Sequence, residues 1–476
     1  MAFKFKKNKD WRTFLRETDT LENLIGLLWF AVSSALIIWP SSLDWHWSSA
    51  LALTILNGAA LSLLVNKMLT MHARSIVFTR RIFILLALIS CGVLLAANYL
   101  LPFNPFFVPI TAAVTIYSLV YGNRSVAIYL TVYLAFVLAL QNPENWFYFF
   151  VIYAAQGLFL IHLSSRRLER NSLTYSALLS ALAGIATMLL FFLLGQGDLH
   201  TLYNNSVAIL VAAVVSTVTI IGLLPYIEDI FYIVTPTKLL ELASPNSPLL
   251  KRLLMEAPGT YHHSLTVANL AEAATEAIKG NALLSRVGAY YHDIGKIKRP
   301  LFFVENQHAF DNPHNQLNPQ MSAIIIISHI KDGVALAKEY KLPRPIIDIV
   351  QQHHGDSIMT YFLHTFKETN EKADESEKTT VNEDDFRYHG PKPRTKEAAI
   401  IMLADSCEAA VRTLEKPTPS RVNNLIGRII KDKIDNGQLD DSPLTFREIN
   451  KIRVSLQQTI GNMFHNRIAY NDKSKD

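Results

Sequence analysis

Residues 22 to about 233 are built almost entirely of apolar runs, and no other feature narrows the fold so far. Eight runs follow one another with short breaks, at 24–39, 49–65, 82–101, 105–121, 125–140, 146–163, 175–195 and 206–226. Each is near the ~20 residues that a helix needs to cross a bilayer. The first is too long for a removed signal peptide and lacks a small-residue cleavage site. Half of the 476 residues are apolar, yet residues 234–476 read as an ordinary soluble mixture. One half of the chain is therefore expected to be a membrane bundle and the other water-soluble.

Lysine and arginine orient the bundle, because cytoplasmic loops carry an excess of them. "KFKKNKDWR" precedes the first run, Lys67, Arg74, Arg80 and Arg81 follow the second, Arg124 the fourth and "SSRRLER" the sixth. The intervening loops "SSLDWHW", "LPFNP", "QNPEN" and "GQGDLHTLYNN" contain neither residue. This alternation predicts a multi-pass protein of the cell membrane with both termini in the cytoplasm. The short "GNR" turn at Gly122 leaves open a re-entrant hairpin in place of two crossings. The runs hold no cluster of acidic or basic side chains, which argues against a proton relay or ion path. Pro109, inside the fourth run, is expected to kink its helix. The two cysteines, Cys91 and Cys407, fall in different halves, so neither a disulfide nor a thiolate zinc site is expected.

The organisation expected is a basic cytoplasmic tail (1–21), a transmembrane bundle of about eight helices (22–226), coupling helices (227–259) and a soluble domain (260–476). In the coupling segment apolar residues recur near helical spacing, interrupted by Pro236, Pro245 and Pro248, which predicts short amphipathic helices. The soluble domain reads as helical at 264–278, 282–294, 320–340, 344–354 and 395–414, with few strand signals. Asn281 is placed to cap the second of these helices, and Gly295 to end it in a left-handed conformation. The charged insert 367–385 has no aromatic residue and no apolar period, so a disordered or solvated loop is expected there. Its flank, "FRYHGPKPRTK", gathers Arg387, Tyr388, Lys392 and Arg394 beside a helix start, where a nucleotide could rest.

Within this domain "AYYHDIGKIKRP" sets His292 beside Asp293. His263, His329, His353, His354 and Asp405 also lie in or at the ends of predicted helices. An unpaired polar group in the apolar surroundings of His329 or Asp405 would be costly. Imidazole and carboxylate donors suit iron, manganese, zinc or nickel, and the lack of thiolates argues against soft-metal sites. Adjacent helix positions point about 100° apart, so His292 and Asp293 do not chelate one ion as an i, i+4 pair would. They can serve a metal pair, with Asp293 bridging both ions and His292 binding one. Seven residues then give four bonds to each ion. Lys296, just beyond, is the candidate partner for a substrate phosphate.

The string "EAPGTYHHS", "VGAYYHDIGKIKRP", "NPHNQLNPQMSAIIIISHIKDGVALA", "QQHHG" and "GPKPRTKEAAIIMLADSCEAAVR" resembles the HD phosphohydrolase superfamily. Within it, the string resembles the 7TM-HD family of membrane-bound cyclic-di-AMP phosphodiesterases, the PgpH-like proteins. The resemblance covers the soluble domain, the coupling segment and the last seven runs. It implies an all-α chain, a polytopic membrane bundle followed by a cytoplasmic helical HD domain. It places dimetal ligands at His263, His292, Asp293, His329, His353, His354 and Asp405, with two divalent transition-metal ions, iron or manganese. His262 and His314 match no ligand position and read as structural. The implied reaction is hydrolysis of cyclic di-AMP to pApA by a hydroxide bridging the metals, with Asp293 and Lys296 catalytic.

Two features qualify the resemblance. Family members carry a large extracellular domain between the first two spans, where this chain has only "SSLDWHW", so external ligand sensing loses its basis. The Gly-Tyr-Pro element of HD-type cyclic-di-GMP hydrolases is absent, which favours adenine. The rival readings are an HD hydrolase of cyclic di-GMP or another nucleotide, and a nucleotide-binding membrane receptor without turnover. The partners expected are a cyclic dinucleotide and the lipid bilayer, with no DNA or RNA polymer; a homodimer is compatible with the reading.

Overall fold

The structure is a computed structural model and describes residues 28–36, 54–58, 61, 80–121, 124–164, 170–231, 234–307, 312–372, 382–414 and 418–465. The basic tail, most of the first two apolar runs, the loop between them and the turn at Gly122 lie outside the described residues. The chain divides into two compact units, Met1–Thr237 and Lys238–Asp476.

In the first unit residues 28–36 and 54–58 are helical. They are followed by α1 (Arg80–Leu100), α2 (Ile110–Tyr121), α3 (Arg124–Leu140), α4 (Trp146–Ser164), α5 (Arg170–Leu193) and α6 (Leu199–Phe231). Windows in α4, α5 and α6 are long and apolar enough to cross a membrane, while the apolar helices Ile84–Leu100, Pro105–Leu119 and Ser125–Leu140 are shorter. Pro109 does not kink a helix as the sequence suggests. It stands just before α2, behind a 3-10 turn at Pro105–Phe107 that Asn104 caps, and there its missing N–H leaves no bond unmade. Among the described residues of this unit, Pro225 does lie inside a helix, α6. That helix starts seven positions before the expected 206 (at Leu199), because Asp198 Oδ1 accepts a hydrogen bond from Thr201 N–H at 2.6 Å.

Apolar side chains such as Leu86, Val114, Leu130 and Ile152 fill the interior of this unit. One polar knot lies among them. Asn57 donates to the hydroxyls of Ser33 and Ser34 at 2.8 and 2.9 Å, and Tyr133 O–H donates to Asn57 Oδ1 at 3.2 Å. Neutral hydrogen bonds of this kind join helices where hydrophobic burial gives no preference between lipid and protein.

The second unit is helical as well; among the described residues its only extended pairing is an isolated bridge between Ile358 and Arg387. Two short helices, α7 (Pro236–Leu242) and α8 (Pro248–Glu256), lead into α9 (Pro258–Ala277), α10 (Ala282–Tyr291), α11 (Pro319–Glu339), α12 (Arg344–Gln352), α13 (Thr360–Lys372), α14 (Lys396–Arg412), α15 (Pro419–Asp435) and α16 (Phe446–His465). The breaks in the coupling segment fall at its prolines, as the pattern requires. Helix α9 begins six residues earlier than expected (at Pro258), so His263 lies inside it. Asn281 caps α10 through Leu284 N–H at 3.1 Å, as expected. Helix α11 also has the length and hydropathy of a membrane span, but Ser322, Ala323, His329, Gly333, Leu336 and Ala337 bury one face of it in this unit.

Three expectations change. The insert at 367–385 is not wholly irregular, because α13 runs on to Lys372 and a 3-10 turn occupies Glu383–Phe386. Leu363, Phe362 and Phe366 pack against Ala323 and Phe386, and Lys367 pairs with Glu383 at 2.7 Å. The anchoring aromatics lie just upstream of the charged stretch, which is why composition alone misses them; residues 373–381 are outside the described residues. Helices α15 and α16 were not anticipated, although Val422, Ile426 and Ile430, then Ile452, Leu456 and Ile460, bury one face of each at a spacing of four.

Gly295, finally, is not a left-handed cap. Helix α10 stops at Tyr291, and Gly295 sits in a 3-10 turn, Ile294–Lys298, without positive φ. It is glycine because that turn lies against α11, where a Cβ would stand 1.8 Å from the carbonyl oxygen of His329 and 2.6 Å from Gly333 N. Gly295→Ala is expected to destabilise this unit by on the order of 3 kcal/mol through overpacking. Thermal unfolding of the detergent-purified protein measures it, and an unchanged midpoint would contradict the close approach.

Candidate metal centre

The end of α10 and the turn behind it place the two residues of the HD dipeptide. His292, at the helix end, keeps helical dihedrals, while Asp293 turns to φ −110° and ψ 16°. The two side chains therefore diverge, and Asp293 is buried with its carboxylate between two groups of rings. Its Oδ2 lies 3.6 Å from His263 Nε2 and 3.3 Å from His292 Nε2. Its Oδ1 lies 3.4 Å from His329 Nε2 and 3.6 Å from His353 Nε2. Donor atoms of His263, His292 and Asp293, and separately those of Asp293, His329, His353 and His354, lie within 4.8 Å of one another.

Asp405, from α14, closes the cluster on one side. Its Oδ1 is 3.1 Å from His263 Nε2 and 3.9 Å from His292 Nε2, and its Oδ2 is 3.9 Å from His354 Nδ1. All seven residues named from the sequence thus meet in one place, drawn from α9, α10, α11, α12 and α14. They form a set of three donors, His263, His292 and Asp293, and a set of four, Asp293, His329, His353 and His354, that share Asp293, with Asp405 beside both.

Three of the rings are aimed by the same device. The Nδ1–H groups of His292, His329 and His353 donate to the carbonyls of Ala289, Ile326 and Val350, each three residues back, at 2.7, 2.6 and 2.8 Å. That bond fixes the tautomer and turns Nε2 into the cluster. His263 is aimed differently: its Nδ1 faces Glu408 Oε2 at 2.7 Å, and Arg412 holds Glu408 at 3.0 Å. After His353 and His354 the chain leaves α12 through Gly355, at φ +58°; a Cβ there would also meet Gln438 Oε1 at 2.4 Å.

The electrostatics are those of a site built for cations. Burial would raise the Asp293 carboxyl, but the charges of His292 and Lys296 hold it well below the usual range. Burial acts likewise on Asp405, and hydrogen bonds from His263 and His292 hold it down. Burial opposes the charge on His292, yet the neighbouring Asp293 raises that ring to about 10. By contrast burial lowers His329 to about 4, and burial with the adjacent His353 holds His354 well below its ordinary value. His292 Nε2 and Asp293 Oδ1 are buried and make no hydrogen bond of good geometry. Buried, convergent and unsatisfied nitrogen and oxygen donors fit a hard or borderline divalent cation.

Lys296 is not the solvated end-of-helix cation that its position in sequence allows. Burial disfavours its charge, but Nζ sits 2.8 Å from Asp293 Oδ2 and 2.7 Å from Glu305 Oε1, which raise it above its ordinary value. The ring of Phe303 packs 4.9 Å from the ammonium. Of the flanking candidates, Tyr388 reaches the cluster, stacking on His354 with centroids 4.4 Å apart. Arg387 lies beside it but is engaged by Asp384 and the carbonyl of Asp356. Lys392 faces Asp440 at 3.7 Å, and Arg394 is tied by its backbone N–H to Gln352. His262 is exposed, and His314 bonds the carbonyl of Phe302, so neither joins the cluster. Sequence reasoning missed Glu408 and Glu305. Glu408 was discoverable, since it stands one helical turn beyond Asp405 on the same face; nothing local marked Glu305.

The family model for the 7TM receptor with intracellular HD hydrolase matches residues 47–235, and the HD domain model matches residues 260–410. The chain belongs to the 7TM-HD family. It is accordingly a membrane protein, a helical membrane bundle followed by an HD domain. The 7TM-HD relatives include cyclic-di-AMP phosphodiesterase PgpH of Bacillus subtilis, 41% identical over 377 residues, 78% of this chain and 52% of that protein. PgpH of Listeria monocytogenes is 50% identical over 252 residues, 53% of this chain and 34% of that protein. The chain thus spans about half, or less, of the length of these relatives. A solved structure of the L. monocytogenes PgpH HD domain in complex with cyclic-di-AMP is 51% identical, covers 47% of this chain and all of that one, and has a TM-score of 0.44.

Glu408→Ala removes the acceptor that aims His263 and is expected to weaken Mn²⁺ binding about 10–100-fold. Equilibrium metal titration monitors this, and an unchanged affinity would show that His263 needs no such support.

Proposed function

We propose that the protein is a membrane-anchored, metal-dependent phosphodiesterase that opens cyclic di-AMP to linear pApA. The observation that carries this reading is Asp293, whose two carboxylate oxygens face two separate sets of imidazoles. In this reading His263, His292, Asp293 and Asp405 hold one divalent ion, and Asp293, His329, His353 and His354 hold a second. Iron or manganese suits donors that are all nitrogen and oxygen. Bound there, the pair of cations would acidify a water and offset the charge that grows on a phosphodiester under attack.

The chain's own groups supply the rest. Lys296 fixes Asp293 in its shared position and sets a positive charge beside the phosphate. The backbone-anchored rings keep their Nε2 atoms in place, so little reorganisation is needed when substrate arrives. Tyr388, packed on His354, forms a wall that excludes water from one side. Arg387, Lys392 and Arg394 supply cationic charge on the segment that follows, where the second phosphate of a dinucleotide would lie. The names of the two relatives and the missing Gly-Tyr-Pro element both favour adenine over guanine. The same reading has residues 22–226 as eight membrane crossings with both termini cytoplasmic, 227–259 as the coupling segment and 260–476 as the hydrolase.

Full-length protein loaded with Mn²⁺ and offered cyclic di-AMP, cyclic di-GMP and a phosphomonoester tests the reading. Cyclic di-AMP should be consumed fastest and yield pApA. Asp293→Ala should lose both metal ions and turnover together. Persistence of cyclic di-AMP while another substrate is consumed would refute the substrate assignment, and full metal occupancy in Asp293→Ala would refute the shared ligand.

A further inference from the structure

Helix α10 ends at Tyr291, the residue before the HD dipeptide, and this side chain is fully buried. Its hydroxyl oxygen lies 2.9 Å from the carbonyl oxygen of Leu242 and 2.8 Å from Ser247 Oγ. A carbonyl can only accept, so the one phenolic hydrogen goes to Leu242 and Ser247 O–H donates to the phenol oxygen. Leu242 is the last residue of α7, and Ser247 stands just before the first residue of α8. One side chain thus holds both edges of the break between the two short helices.

Ser247 carries the point further. It is the N-cap of α8, and its carbonyl accepts from Lys251 N–H at 2.9 Å as a capping residue's does. A serine in that position ordinarily turns its hydroxyl to the free N–H groups at the start of its own helix. Ser247 makes no such bond; its hydroxyl goes to Tyr291 instead. The last carbonyls of α7 likewise find no partner within their own helix, and that of Leu242 is taken by the same phenol. A local capping rule set aside for one tertiary contact points to a functional demand on that contact.

The residues that follow Tyr291 are those whose placement matters most to the cluster. His292 and Asp293 come next in the chain, and α8 lies against the turn Ile294–Lys298 that carries Lys296. Leu249, Leu250 and Leu253 bury the inner face of α8, so the helix is seated on the unit and does not hang from it. The other end of α10 is held separately, by the Asn281 cap and by Thr275 Oγ1, which donates to Ser285 Oγ at 2.8 Å. With that end fixed, the Tyr291 hydroxyl settles where α10 stops, and with it the backbone from which the two side chains of the dipeptide diverge. Displacements of about 1 Å at such a point are enough to cost a reaction two orders of magnitude.

We propose that Tyr291 is a positioning residue: its hydroxyl fastens the HD dipeptide to the break between α7 and α8, so that the coupling segment sets the spacing of the cluster's donors. The assignment rests on the functional reading above. Tyr291→Phe removes the hydroxyl and keeps the ring in the core. In the full-length protein this variant is expected to weaken Mn²⁺ binding about tenfold and to lower kcat for cyclic di-AMP, with KM unchanged because the buried phenol offers substrate no contact. Ser247→Ala, which costs α8 no cap bond, should weaken Mn²⁺ binding in the same direction. Adding it to Tyr291→Phe should bring no further loss, since Ser247 acts only through that hydroxyl. A purely structural role would lower the unfolding midpoint of the variants and leave Mn²⁺ affinity unmoved. Unchanged affinity in Tyr291→Phe therefore overturns the proposal, and so do losses that multiply in the double variant. The unmodified protein tests the functional reading separately. If it binds Mn²⁺ and does not open cyclic di-AMP, that reading fails while the affinities of the variants still decide the role of Tyr291; if it binds no Mn²⁺, both fall.

Discussion

The buried carboxylate of Asp293 sets the terms for the rest of the second unit. Each of its oxygens faces two imidazoles, so rings from α9 and α10 must lie on one side of it and rings from α11 and α12 on the other. That arrangement needs α10 to end one residue before His292, so that two neighbours in sequence diverge in space. It needs the following turn to lie flat against α11, which only a glycine at 295 permits. It also needs each ring to be locked from behind, which the carbonyls of Ala289, Ile326 and Val350 accomplish. A single shared carboxylate thus constrains helix ends, a backbone approach and ring tautomers.

How much of this was legible depends on which property carries the information. Hydropathy and helical period revealed the apolar runs and the main helices of the second half, because burial repeats along the chain. Histidines and aspartates in apolar surroundings stood out against that period, so the seven cluster residues could be named. Glu305 could not, since it sits in an irregular stretch and meets Lys296 only through tertiary folding. Gly295 was misread for a related reason. A glycine after a helix usually signals a left-handed cap, and nothing in the local sequence reveals a second helix pressed against it.

The first unit shows the same limit in lipid-like surroundings. Hydropathy identifies a run but not which side of it faces protein. Asn57, Ser33 and Ser34 look like minor blemishes in apolar segments, yet they join one another and Tyr133 in a buried knot. Unpaired, such groups would cost several kcal/mol each in hydrocarbon, so their pairing fixes the rotation of the helices that carry them. The charge pattern of the loops speaks to orientation and says nothing of this rotation.

Charge divides the second unit into regions of different chemistry. Around the cluster stand Asp293, Asp405, Glu305 and Glu408, while Lys296 and Arg412 are the cations bonded to them. Carboxylates therefore outnumber permanent cations in a buried space. Asp293 raises the neighbouring His292 in response, and a divalent cation would offset the excess with a better match to convergent lone pairs. Two turns back along α11, around Ser322, the described side chains that line the neighbouring pocket, among them His314, Tyr361 and Phe362, carry no permanent charge.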